Sequence, residues 1–135
     1  VSVTPKIKSF LIADTVIREQ NTNKWSVIGI FEKIFTFSFP CTHHSLALYV
    51  RLADGDGEFN IRVEFCDDKN AILAAFEGLK INIHNRLVSP EIGIQTYNLP
   101  LPKPGKYNFL IYFNDELAEI SIPLEAILVE KTQVK

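Results

Sequence analysis

The chain has no methionine, one tryptophan, two cysteines and six glycines among its 135 residues. So few glycines exclude a collagen-like or glycine-rich repeat. Two cysteines cannot staple a disulfide scaffold, so a buried apolar core has to hold the fold. Cys41 and Cys66 allow one bridge; two free thiols beside strand-like sequence is the plainer expectation. Neither sign of charge dominates, with 14 Lys and Arg against 16 Asp and Glu and a formal net charge of −2. Nucleic acid is therefore not an expected partner, because phosphate backbones are met by a surplus of Lys and Arg. No apolar run nears the roughly 20 residues that cross a bilayer, so no transmembrane segment is expected. No signal-peptide pattern opens the chain; compartment stays open, with the cytoplasm as the expectation. No serine sits in a G-x-S-x-G elbow and no glycine-rich phosphate loop follows a strand.

What the chain does have is alternation. Hydrophobic residues make up 47% of it and charged ones 22%, enough for one self-sufficient core over residues 1–135, with strands between about 7 and 129 and a polar tail at 130–135. The stretch 46–65 stands out. Leu46, Leu48, Val50 and Leu52 share one parity and Tyr49 and Arg51 the other; Phe59, Ile61, Val63 and Phe65 then alternate with Asn60, Arg62 and Glu64. Asp54-Gly55-Asp56-Gly57 between them reads as a hairpin turn. The run 26–39 reads as one long strand bent at Gly29, so that it serves both halves of a sandwich, with Phe31, Phe35, Phe37 and Phe39 facing the core. Residues 71–79 hold two helical turns' worth of alanine and leucine, but Leu79, Ile81 and Ile83 continue at strand period, which favours strand.

A further strand covers 92–99, and a last hairpin pairs 106–113 with an arm running from Leu117 towards Val129, Pro123 marking an edge or a break. Repeated strands without helices between them predict an all-β, two-sheet immunoglobulin-like or C2-like sandwich of seven to nine mostly antiparallel strands. Its expected core comprises Phe35, Phe37, Leu48, Val50, Leu52, Ile61, Val63, Ile81, Ile83, Phe109, Ile111, Ile120 and Ile122.

Few residues suggest chemistry. His43 and His44 follow Cys41 closely, the start of a zinc- or copper-type set that lacks a second cluster. Asp54, Asp56 and Glu58 alternate like calcium-loop oxygens without an EF-hand framework. Neither group justifies assigning a metal, no cofactor is expected and no catalytic residue is assigned. The aromatics are more informative. Tyr49 and Tyr97 occupy outward parities, and with Arg51, Arg62 and Trp25 they make the candidate surface for a ligand or partner. The alternative account of the same residues is cross-strand pairing on an exposed face, with Arg51, Arg62 and Glu64 in ion pairs.

The order of signals also resembles an uncharacterised, mostly bacterial family of small all-β domains of unknown function. The resemblance rests on Asp14 after the opening strand, on Thr22-Asn23-Lys24-Trp25-Ser26-Val27-Ile28-Gly29-Ile30-Phe31 against T-G-K-x-S-x-x-G-x-F, and on Phe39-Pro40. Asp54-Gly55-Asp56-Gly57 and Pro104-Gly105-Lys106-Tyr107 complete it. Asn23 stands where the pattern has glycine; asparagine also reaches left-handed backbone geometry. The resemblance implies the fold and brings no activity. Tyr107 further resembles the tyrosine corner of sandwich domains.

The first functional expectation is therefore a non-catalytic protein-binding or scaffolding module using a sheet edge or exposed aromatic face, self-association included. A carbohydrate- or calcium-binding module is the alternative. A small hydrolase-type enzyme built on Cys41, His43 and His44 ranks last.

Overall fold

Period-two alternation becomes strand along nearly the whole chain. The computed structural model describes residues 2–130; apart from Glu130, the expected polar tail lies outside them. The strands are β1 (Lys6–Arg18), β2 (Trp25–Ile30), β3 (Lys33–Thr36), β4 (Cys41–Ala53), β5 (Gly57–Cys66), β6 (Ile72–Ile83), β7 (Glu91–Leu101), β8 (Gly105–Phe113), the two-residue β9 (Glu116–Leu117) and β10 (Ile122–Leu128). One sheet has the order β2-β1-β4-β7 and the other β3-β10-β8-β5-β6, with β9 beside β8. All pairings are antiparallel except β3 with β10. The two-sheet all-β sandwich is as the alternation predicts, and residues 72–79 are strand.

The chain changes sheet repeatedly, which overturns one expectation. β4 and β5 are not the arms of a hairpin: β4 pairs with β1 and β7, whereas β5 pairs with β6 and β8. The Asp54–Gly57 connection is an arch between sheets. Asp54 (φ 59°) and Gly57 (φ 126°) turn the chain, and Asp56 exchanges backbone hydrogen bonds with Val3 at 2.7 and 2.9 Å. Gly55 is buried at the apex, where an added Cβ would stand 2.7 Å from the Pro5 Cβ and 2.9 Å from the Ile83 Cδ1. The arch turns the apolar faces of β4 and β5 towards each other across the core.

The run 26–39 does serve both sheets, but it breaks at Phe31–Glu32, after Gly29 (φ 73°). The crossing resets the alternation, so Ile34 is buried while Phe35 and Phe37 are 63% and 47% exposed. Those two phenylalanines are not core residues. Nor is Ile120, 48% exposed in the link after β9. Leu48, Val50, Leu52, Ile61, Val63, Ile83, Phe109 and Ile111 are buried as expected, with Ile81 and Ile122 partly buried against them. Pro123 lies in β10 opposite Asn108, before the segment that β3 covers, where its missing N–H costs no ladder bond.

Short connections carry the residues that make turns. Asn23 (φ 59°) closes the β1–β2 hairpin, and the Asp67 carboxylate accepts the Lys69 and Ala71 N–H groups at 2.9 Å in the β5–β6 turn. Those bonds hold the Asp67 carboxyl below the usual carboxylate range, led by the one from Ala71. The Tyr107 hydroxyl donates to the Lys103 carbonyl and accepts the Lys103 N–H at 3.2 Å, fixing the β7–β8 arch as a tyrosine corner does. Tyr107 stacks on Phe65 at 5.2 Å, and Phe65 meets Phe109 at 4.8 Å, forming the aromatic centre of the core.

Candidate functional site

The outer face of the four-stranded sheet carries the most organised polar and aromatic group. β4 points Tyr49 and Arg51 outwards, with Leu11 and Gly93 opposite Tyr49 and Ser9 and Glu91 opposite Arg51. An added Cβ on Gly93 would meet the Trp25 Cζ3 at 2.6 Å and the Val16 Cγ1 at 3.2 Å. β7 is two strands away from β1, so the outer half of the β1–β2 hairpin leans back over the sheet. The bare backbone of Gly93 is the seat for the indole. Trp25 then packs on Tyr49 with ring centres 6.3 Å apart, and the Arg18 guanidinium lies 5.8 Å from the indole centre.

Tyr49 is therefore not an exposed aromatic: the indole reduces its exposure to 8%. Its hydroxyl donates to the Glu91 carboxylate. Burial, reinforced by that bond, pushes the phenol up to about 12. Stability owed to the neutral phenol is thus complete below the ordinary tyrosine value near ~10 and is lost as pH rises through about 12. In an alkaline titration read at the phenolate absorbance, the difference between wild type and Tyr49→Phe is expected to be one group ionising near 12; a difference centred near ~10 would show an unburied ring.

Arg51 is the odd member. Its cross-strand neighbour Glu91 is taken by Tyr49, and no ion pair forms between them. The Arg51 Nε is the one buried side-chain polar atom among the described residues without a hydrogen-bond partner.

A second feature lies under the β2–β3 crossing. A cleft of about 340 Å³ opens between the sheets, lined by Asp14, Ile30, Phe31, Lys33, Phe35 and His43 among others. Gly29 passes so close to Asp14 that an added Cβ would lie 2.9 Å from the carboxyl carbon. His43 rests on Phe31 at 5.9 Å. Burial lowers its pKa below the usual imidazole value, partly opposed by the Asp14 charge.

Of the residues singled out by sequence, Trp25, Tyr49 and Arg51 meet. Tyr97 is 64% exposed, four positions along β7 from Gly93. Arg62 is on the other sheet, because β5 does not pair with β4. It lies 4.2 Å from the Tyr112 ring centre and pairs with Glu64 at 3.2 Å and with Asp115. Asp54 pairs with Arg86 at 2.8 Å, Asp56 bonds through its backbone to Val3, and Glu58 accepts from Asn82. Exposed His44 and half-buried His43 and Cys41 start β4, while His84 follows β6. Among the described residues no group of three or more His, Cys, Asp or Glu is placed to hold a metal, and both cysteines are free. Sequence reasoning passed over Glu91, Gly93 and Arg18. A glycine inside a strand pattern marks close approach of another group, and Gly93 carried that signal.

With this geometry in view, the sequence model of a family of unknown function (DUF6941) matches residues 8–127, from β1 into β10. The chain belongs to that family. The match takes in Asp14, Gly29 and Phe31 at the cleft and Trp25, Tyr49, Arg51, Glu91 and Gly93 on the outer face. No curated protein matches the chain. In this DUF6941 member no helix among the described residues is long and apolar enough to cross a membrane.

Proposed function

We propose that this protein is a non-catalytic binding module that takes an extended segment of a partner protein along the free edges of β2 and β3. The observation that carries this reading is the concentration of exposed apolar side chains there. Ile28 and Ile30 on β2 are 52% and 61% exposed, and Phe35 and Phe37, in and just beyond β3, are 63% and 47% exposed. Both strands end their sheets, so each has one row of backbone groups without a ladder partner. Apolar residues at alternate positions beside an open edge suit β-augmentation, in which main-chain bonds give affinity and every second side chain finds a pocket. The cleft between Ile30 and Phe35 is such a pocket.

The test is selection of twelve-residue peptides from a random display library, then amide chemical-shift mapping. Bound peptides should carry apolar residues at alternate positions and shift the amides of β2 and β3. Phe35→Asp should weaken them at least about tenfold, the size of a contact worth ~1.4 kcal/mol. Binders that map elsewhere, or that ignore Phe35→Asp, would refute the reading.

A further inference from the structure

We propose that the cleft under the β2–β3 crossing receives a tyrosine side chain of the partner segment, its hydroxyl donating to the Asp14 carboxylate. This occupant rests on the edge-binding reading above and gives the segment its one specific residue.

Two kinds of surface meet in the cleft. Ile30, Phe31, Ile34 and Phe35 supply apolar walls, and Asp14, Lys33 and His43 supply polar groups. Ile30 and Phe35 are 61% and 63% exposed, so the walls are open to a side chain arriving along the strand edges. Asp14 and Lys33 are exposed as well, and among the described residues neither takes part in an ion pair. Gly29 leaves the carboxylate in place, since an added Cβ would stand 2.9 Å from the carboxyl carbon and push the group aside. The volume, about 340 Å³, is at the small end of the ~300–1,000 Å³ of ligand pockets, which suits a single side chain.

The charges narrow the residue. Burial lowers the His43 pKa below the usual imidazole value, so the ring is uncharged at neutral pH and rests on Phe31 as part of the wall. Asp14 and Lys33 bring one formal charge of each sign. Lysine or arginine would meet Lys33, and aspartate, glutamate or phosphotyrosine would meet Asp14. Phenylalanine or leucine would suit the walls but strip water from the Asp14 carboxylate without replacing its hydrogen bonds. Tryptophan donates but cannot accept. Tyrosine answers every group: its ring suits Phe31 and Phe35, and its hydroxyl donates to Asp14 and accepts from Lys33.

The probe is a blocked, fluorescein-labelled nine-residue peptide of alternating valine and serine with tyrosine at the centre, on the valine parity. Its twins carry phenylalanine or phosphotyrosine at that position. Binding to the intact protein is read by fluorescence polarisation, and the site by amide chemical shifts. The tyrosine peptide should bind at least about tenfold tighter than the phenylalanine twin, as one hydrogen bond to a charged group provides, and shift the amides of β2 and β3. Asp14→Ala, with folding checked by circular dichroism, should bring the tyrosine peptide to the affinity of the phenylalanine twin. Lys33→Met should narrow the gap between the two without closing it.

Equal affinities with shifts in β2 and β3 would overturn the tyrosine proposal while the edge-binding reading stands. So would a gap that survives Asp14→Ala. Tighter binding of the phosphotyrosine twin would make Lys33 the anchor and overturn the role given to Asp14. Failure of every peptide to bind would also overturn the proposal, and the edge-binding reading would then be decided by the library selection, which prescribes no sequence.

Discussion

Phe65→Ala is expected to cost about 4 kcal/mol, within the ~3–5 kcal/mol range for truncating a buried phenylalanine. The side chain is fully buried, stacks on Tyr107 at 5.2 Å and touches Phe109 at 4.8 Å. Removing the ring withdraws a contact surface from both neighbours at once. They cannot close the gap, because the Tyr107 hydroxyl is tied to Lys103 and Phe109 is locked between paired strands. Domains are stable by roughly 5–15 kcal/mol, so a loss of this size takes a large share of the total. Urea denaturation gives the measurement: a lowered midpoint with an unchanged slope. A loss under about 1 kcal/mol would show that the three rings are not the centre of the core.

Gly55→Val is expected to destabilise by about 3 kcal/mol, at the upper end for overpacking a filled site. Even the first added carbon would stand 2.7 Å from the Pro5 Cβ and 3.1 Å from the Pro5 Cα. Ile83 can rotate its Cδ1 away; a proline ring and backbone cannot. Gly78→Ala supplies the contrast, with φ at +90° and nothing within 4 Å of the new carbon. Its cost should be the strain of the backbone alone, about 1–2 kcal/mol. If the two variants unfold at the same urea concentration, crowding at the arch is not what Gly55 relieves.

The legibility of this fold divides along a physical line. Period-two alternation depends only on which faces are wet, so the strands and the two-sheet class could be read residue by residue. The sheet to which a strand belongs depends on pairing. Leu46–Leu52 alternation followed by Asp-Gly and Phe59–Phe65 alternation is what a hairpin shows; an arch shows the same, because both bury one face of each arm. The decisive contacts, Gly55 against Pro5 and Asp56 with Val3, lie some fifty residues apart along the chain. The error at Phe35 and Phe37 has a related origin. An unbroken run of β-formers gives no sign that crossing at Phe31–Glu32 resets the phase.

The outer-face site follows the same division. Residue type and parity pointed to Trp25, Tyr49 and Arg51, and the same parity placed Arg62 beside them by way of the hairpin that does not form. What unites the three is the tilt of the β1–β2 hairpin onto Gly93, a long-range contact. The bond from Tyr49 to Glu91, which leaves the Arg51 Nε without a partner, is a choice between two donors for one carboxylate, and only the folded arrangement reveals it.

The sheet changes also have a mechanical meaning. The chain passes between layers at β2–β3, β3–β4, β4–β5, β6–β7 and β7–β8, at both ends of the sandwich and along one side. Five covalent crossings tie the layers together and oppose any sliding of one sheet over the other. Like β3, β6 and β7, β2 has a single strand neighbour; it carries Trp25, seated on Tyr49, at its start and Ile30, at the cleft, at its end. Within that laced frame, the six-residue strand joins the arginine face to the open cleft along one sheet edge.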